Sequence, residues 1–201
     1  IDLDYVLLDA SLLKRAIISI LTDAGITAAD FENTYRATVT EGDQERVYVP
    51  SLHAELLAQE SSVGVDELCR VINGAADRSN EFLYPGANDF LAALRDVGHH
   101  LRLLTLGEER WQRRKIAGSG IMSAFDAIIV SSLPKRLSLA DALEGVSGSV
   151  YIINDNPGET MEMAAAFPAF HYLLKRGPYL PAPDFPFPIC EGFDTLFRLC
   201  A

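Results

Sequence analysis

The 201-residue sequence predicts an α/β fold: a doubly wound, Rossmann-like parallel sheet with an all-helical segment inserted near its start. Three observations predict it. Short continuous apolar runs recur in the second half of the chain, at 101–104, 127–130, 150–153 and 170–174. Amphipathic helical stretches alternate with them, and strands that read as unbroken apolar runs belong to parallel sheets covered on both faces. The stretch from about Leu12 to Ala76, by contrast, is helical in period and nearly free of strand signal.

Residues 1–8 form an apolar run broken by Asp2 and Asp4, which reads as the end of a strand entering a loop. Leu13, Ile17, Ile20 and Leu21 then fall at helical spacing, and Gly25 supplies a stop. Further helices are expected over 28–38, 51–60 and 65–76, with Ser51 after Pro50 as the cap of the second. Tyr84-Pro85-Gly86 marks a change of pattern. Helices over 87–97 (closed by Gly98), 108–117, 137–143 and 158–167 then alternate with the apolar runs. Pro178, Pro181, Pro183, Pro186 and Pro188 impose an extended connection, and 193–199 reads as a short packing helix.

Seventeen basic against 28 acidic residues leave a net charge of −11. So acidic a surface disfavours nucleic acid or anionic lipid as partners. No apolar run approaches the roughly 20 residues that span a bilayer. Cys69, Cys190 and Cys200 make no CxxC pair, so a disulfide framework is not expected and a cytoplasmic setting fits. A first residue of Ile rather than Met is compatible with a removed leader. Either a monomer or a homodimer suits this composition.

Ligands of such sheets bind beyond the carboxyl ends of the strands. The residues there are Asp2 and Asp4, Thr105, 131–135, and Asn154-Asp155-Asn156. Acids, a hydroxyl and a lysine therefore converge on one edge.

In chain order these positions resemble the motifs of the haloacid dehalogenase-like superfamily, the aspartate-nucleophile phosphatases. Asp2-Leu3-Asp4-Tyr5-Val6 is similar to its first motif, Leu103-Leu104-Thr105 to its second, Lys135 to the lysine of its third, and Asn154-Asp155-Asn156-Pro157-Gly158-Glu159 to its acidic fourth. The resemblance covers nearly the whole chain. It implies a core of residues 1–11 and 81–201 and a helical cap of 12–80. It further implies Mg²⁺-dependent hydrolysis of a small phosphorylated metabolite, with Asp2 as nucleophile and Asp4 as general acid and base. Thr105 and Leu106 would bind the phosphoryl group, and Lys135 would place a positive charge beside it. Asp2, the main-chain carbonyl of Asp4, and Asp155 would hold the metal.

The chemistry suits the residue types. A carboxylate that takes the phosphoryl group splits one slow step into two. Two acids facing a phosphate dianion need a hard cation to offset their charge. The sequence departs from the superfamily pattern at Tyr5 and Asn154, where Gly is commoner, at Glu159, where Asp is usual, and in the order Pro134-Lys135.

Two alternatives accompany this reading. A second register puts the nucleophile at Asp9, in Asp9-Ala10-Ser11 after the apolar run 5–8, and favours a 2-haloacid dehalogenase-like enzyme, because a departing halide needs no proton. The other keeps the fold as a non-catalytic phosphate-binding or regulatory protein. Residues 108–115 read as a solvated face of Glu–Arg pairs, with Trp111 as packing. His53, in the helical insert, is a candidate to meet substrate, whereas His99, His100 and His171 have no metal spacing. No GxxxxGK[ST] phosphate loop is present, which disfavours an ATP-driven kinase.

Overall fold

The structure, a computed structural model, describes residues 1–38 and 47–201; residues 39–46 of the helical insert lie outside the described residues. The first part of the chain, among the described residues, holds α1 (Ala10–Asp23), α2 (Ala28–Thr38), α3 (Pro50–Gln59) and α4 (Val65–Ala76). In α1 the stripe Leu13, Ile17 and Leu21 is buried, as its period requires. The start of α3 differs from expectation. Pro50 is its first residue and Val49 precedes it without a side-chain cap, so Ser51 lies inside the first turn. The fixed φ and missing N–H of proline suit that position, which moves the boundary one residue earlier.

The remainder alternates helix and strand. In order come α5 (Ala87–Asp96), β1 (Arg102–Leu106), α6 (Glu109–Ser119), β2 (Ala127–Ser131), α7 (Lys135–Ala142), β3 (Tyr151–Asn154), α8 (Pro157–Ala166) and β4 (His171–Lys175), then β5 (Ile189–Cys190) and α9 (Phe193–Cys200). β1 pairs with β2, β3 with β4, and β4 with β5, all in parallel. The proline-rich tail contributes β5, which the sequence reading missed. Such a tail is tolerated at a sheet edge, where prolines need not donate: Leu174 N donates to Pro188 O at 2.9 Å and Arg176 N to Cys190 O at 2.8 Å.

The first two residues join the two sets of strands. Ile1 N donates to Arg102 O at 3.0 Å, Leu104 N to Ile1 O at 3.0 Å, and Asp2 N to Ile153 O at 3.0 Å. Residues 1–2 therefore lie between β1 and β3, giving the order β2-β1-(1–2)-β3-β4-β5.

Successive side chains of a strand point to opposite faces. Leu103, Ile153 and Leu173 enter one core with Phe90, Leu91, Leu94 and Leu196, continuous with the buried faces of α1–α4. Leu104, Ile152 and Tyr172 enter a second core with Leu139, Ala142 and Met163. Both faces are covered, which is the physical reason the strand sequences read as unbroken apolar runs.

After Asp2 the chain does not continue as a strand. Leu7 N and Leu8 N both donate to Leu3 O, at 2.9 and 3.0 Å, and Tyr5 N donates to Leu8 O at 2.7 Å. Tyr84 N donates to Leu7 O and Asp9 N to Phe82 O, at 2.9 and 2.8 Å, tying this loop to the segment that re-enters the α/β part. Among the described residues no helix is long and apolar enough to cross a membrane.

Candidate active site

The carboxyl ends of the central strands open into one cleft of about 260 Å³. Asp2, Asp4, Thr105, Leu106, Lys135 and Asp155 all line it. The structure thus brings these six residues to one cleft.

Asp2 is buried where the chain leaves the gap between β1 and β3. Its Oδ1 accepts from Leu3 N at 2.7 Å and its Oδ2 from Lys135 Nζ at 2.6 Å. Lys135 opens α7, so the Pro134-Lys135 order delivers the lysine to the site. Its Nζ also donates to Asn154 Oδ1 at 2.9 Å and Glu159 Oε2 at 2.7 Å. Burial alone would lower its pKa, but Asp2 and Glu159 outweigh that and hold it above the ordinary lysine value. Asp2 feels burial pushing its carboxyl up and Lys135 pulling it back. Glu159, one methylene longer than the Asp of the resembling motif, uses that reach on Lys135.

Asp155 follows β3 and is 3% exposed. Its Oδ2 is buried without a hydrogen-bond partner. Burial first, and the neighbouring Asp2 charge second, raise its pKa to about 8. A buried carboxylate oxygen with no protein donor, beside a second carboxylate, is the donor set of a hard divalent cation. Among the described residues no group of three or more His, Cys, Asp or Glu side chains is arranged to hold a metal ion by itself. Gly177 borders this corner closely. A Cβ there would stand 3.1 Å from Asp155 Cβ and 3.2 Å from its Oδ2.

Asp4 has partners that the sequence reading missed. Lys115 Nζ donates to both of its carboxylate oxygens, at 2.7 and 2.6 Å. Gln112 Nε2 lies 3.1 Å from Asp4 Oδ2, 2.9 Å from Thr105 Oγ1 and 2.7 Å from Leu106 O. One amide therefore joins the ends of the first two motifs. Gly107 makes room for it, because a Cβ there would fall 2.7 Å from Gln112 Cγ. The solvated face expected over 108–115 holds only in part. Glu109 and Arg113 pair in solvent at 3.0 Å, whereas Trp111, Gln112 and Lys115 turn inward. The available signal was spacing: Lys115 lies four residues after Trp111, on one side of a helix.

Tyr5 is, among the described residues, the non-glycine residue with positive φ, +59°. That left-handed conformation costs about 1–2 kcal/mol for a residue with a Cβ. Lys175 Nζ donates to its carbonyl at 3.1 Å and sits 3.7 Å over the Tyr84 ring. Burial lowers the pKa of Lys175.

Other candidates lie elsewhere. Asp9 caps α1, its Oδ1 accepting from Leu12 N at 2.8 Å, and it does not line the cleft. His53 is fully buried between Thr34 Oγ1 at 3.0 Å and Tyr48 OH at 2.8 Å, and burial lowers its pKa to about 4. It braces the wall instead of facing a ligand. His99 Nε2 lies 3.0 Å from Cys200 O, and His171 stacks on Tyr151.

No family model and no curated protein matches the sequence. Solved structures do match. With a protein of Burkholderia xenovorans LB400 described as a haloacid dehalogenase-like hydrolase, the TM-score is 0.76 at 18% identity, over 98% of this chain and 93% of that one. The chain has the haloacid dehalogenase-like fold. The magnesium-bound HAD-hydrolase YfnB of Bacillus subtilis shares it, with a TM-score of 0.72 at 17% identity over 99% of this chain and 96% of that one. So does the L-2-haloacid dehalogenase of Xanthobacter autotrophicus, with a TM-score of 0.67 at 16% identity over 98% and 95%. A protein of Haemophilus somnus 129PT described as a predicted phosphoglycolate phosphatase is also among the matches.

Proposed function

We propose that the protein hydrolyses a small phosphomonoester with the help of Mg²⁺, through an aspartyl-phosphate on Asp2. The observation that carries this reading is the pairing of a lysine-held Asp2 with the partnerless Oδ2 of Asp155 in one cleft. The Asp2 carboxylate, the Asp4 main-chain carbonyl and the Asp155 carboxylate would hold the ion, which offsets the negative charge of the phosphate and its neighbours.

The protein's own groups then divide the work. An Asp2 oxygen attacks phosphorus as the bond to the leaving alkoxide breaks. Lys135 keeps a positive charge against Asp2, where charge develops on the transferring group. Thr105 Oγ1 accepts from Gln112, which leaves its own hydrogen to be given to a phosphoryl oxygen. Asp4 delivers a proton to the alkoxide and then takes one from the water that hydrolyses the acyl phosphate. The dehalogenase reading that rests on Asp9 has less support, because that carboxylate caps a helix.

The test is phosphate release from a panel of alkyl phosphates with Mg²⁺ or with EDTA. Release that requires Mg²⁺ and vanishes in Asp2→Asn is expected. Halide release from 2-haloacids without phosphate release would overturn the proposal.

A further inference from the structure

The cleft runs beyond the acids toward the helical insert. Its far wall is built from Leu13 and Ile17 of α1, Phe31 and Tyr35 of α2, Tyr48 before α3, and Trp111 of α6. The rings form a continuous arc. Phe31 and Tyr35 stack at 5.9 Å, Tyr35 and Tyr48 lie 5.1 Å apart, and Tyr48 meets Trp111 at 5.6 Å and 74°.

Two polar groups of this wall, Tyr48 OH and Lys14 Nζ, already have partners. Tyr48 OH is 2.8 Å from His53 Nδ1. Lys14 Nζ is 2.9 Å from Glu32 and 4.1 Å over the Tyr35 ring. The other lysines lining the cleft, Lys115 and Lys135, are bound to Asp4 and to Asp2 with Glu159. Among the described lining residues, no lysine is left over for a second anionic group on the substrate. A carboxylate here would face the negative faces of aromatic rings instead. At about 260 Å³ the space falls below the roughly 300–1,000 Å³ of pockets for drug-sized ligands, which suits one ring beside a phosphate.

Building on the phosphomonoesterase reading, we propose that the alcohol esterified to phosphate is a flat, uncharged aromatic one, seated against Tyr35, Tyr48 and Trp111. The ring supplies the binding energy remote from phosphorus that orients the ester toward Asp2.

Benzyl phosphate and n-propyl phosphate, both esters of primary alcohols, test this without a large difference in leaving-group chemistry. kcat/KM is expected to favour the benzyl ester at least tenfold, and Tyr35→Ala to bring the ratio toward one. Equal efficiencies, or a ratio unmoved by Tyr35→Ala, overturn the inference. A second measurement needs no turnover. Trp111 is the sole tryptophan, so its fluorescence reports binding directly. Titrated with Mg²⁺ present, benzylphosphonate is expected to bind at least tenfold more tightly than n-propylphosphonate, and equal affinities overturn the inference whether or not the protein turns over. If no ester releases phosphate but benzylphosphonate keeps its advantage, the phosphatase reading fails and the aromatic preference stands. If both esters turn over equally well, only the preference fails.

Discussion

Replacing Asp155 by Asn should stabilise the metal-free protein at alkaline pH while abolishing metal-dependent activity. The native carboxyl titrates near 8 against an ordinary value of 3.8, so the folded state keeps a proton that the unfolded state has lost across that window. The native state therefore binds more protons than the unfolded one, and stability falls as pH rises from about 4 to 8. A rise of about 4 units at about 1.36 kcal/mol each sets a ceiling near 5–6 kcal/mol at pH 8. Much of the cause is shared with Asp2, which keeps its own burial and its lysine in the variant. A gain of about 2–3 kcal/mol is expected, or a Tm rise of about 4–10 °C for a chain of this length. The assay is thermal melting in EDTA at pH 5 and pH 8. The gap between wild type and variant should be about a third as large at pH 5 as at pH 8. Mg²⁺ should raise the wild-type Tm, more at pH 8 than at pH 5, and leave the variant unmoved. Parallel pH profiles, or a variant less stable than wild type at pH 8, would refute the reasoning.

Two further perturbations probe the neighbours of the acids. Lys115→Met frees Asp4 from α6, and kcat for alkyl phosphates should fall by about 10²-fold, within the range of general acid–base contributions. The loss should be much smaller for p-nitrophenyl phosphate, whose leaving group needs no proton; equal losses on both would show that Lys115 does not act through Asp4. Gly177→Ala would press a methyl to 3.1–3.2 Å from Asp155, and the Mg²⁺ concentration giving half-maximal activity should rise about tenfold, as when a metal ligand loses its support. An unchanged Mg²⁺ dependence would mean that Asp155 does not position the ion.

Much of the fold was legible because the central strands β1, β3 and β4 bury both faces. Leu103 and Leu104 feed different cores, and that leaves an unbroken apolar run in the sequence. β5 was not legible, since two residues amid prolines carry no periodic signal. Asp2, Thr105, Lys135 and Asp155 were legible because strand ends are fixed by local pattern and the order of the motifs is preserved. Gln112 and Lys115 were not, although both lie on the buried side of α6 with Trp111 and Ile116. A helix surrounded by Glu and Arg resembles a solvated one until its packing partner is known. Local sequence favoured Asp2 over Asp9 as the acid of the site but left Asp9 as an alternative register, because both follow apolar residues.

Chain order and side-chain alternation, properties of a linear polymer, determined the parallel sheet and the residues at its rim. Only tertiary structure decided which of those residues meet and how they are charged. Lys135 reaches Asp2 across 133 positions of chain, and Lys115 reaches Asp4 across 111. Proximity at such separations, and the loss of water that raises the pKa of Asp155, exist only once the sheet and its helices have closed around the cleft.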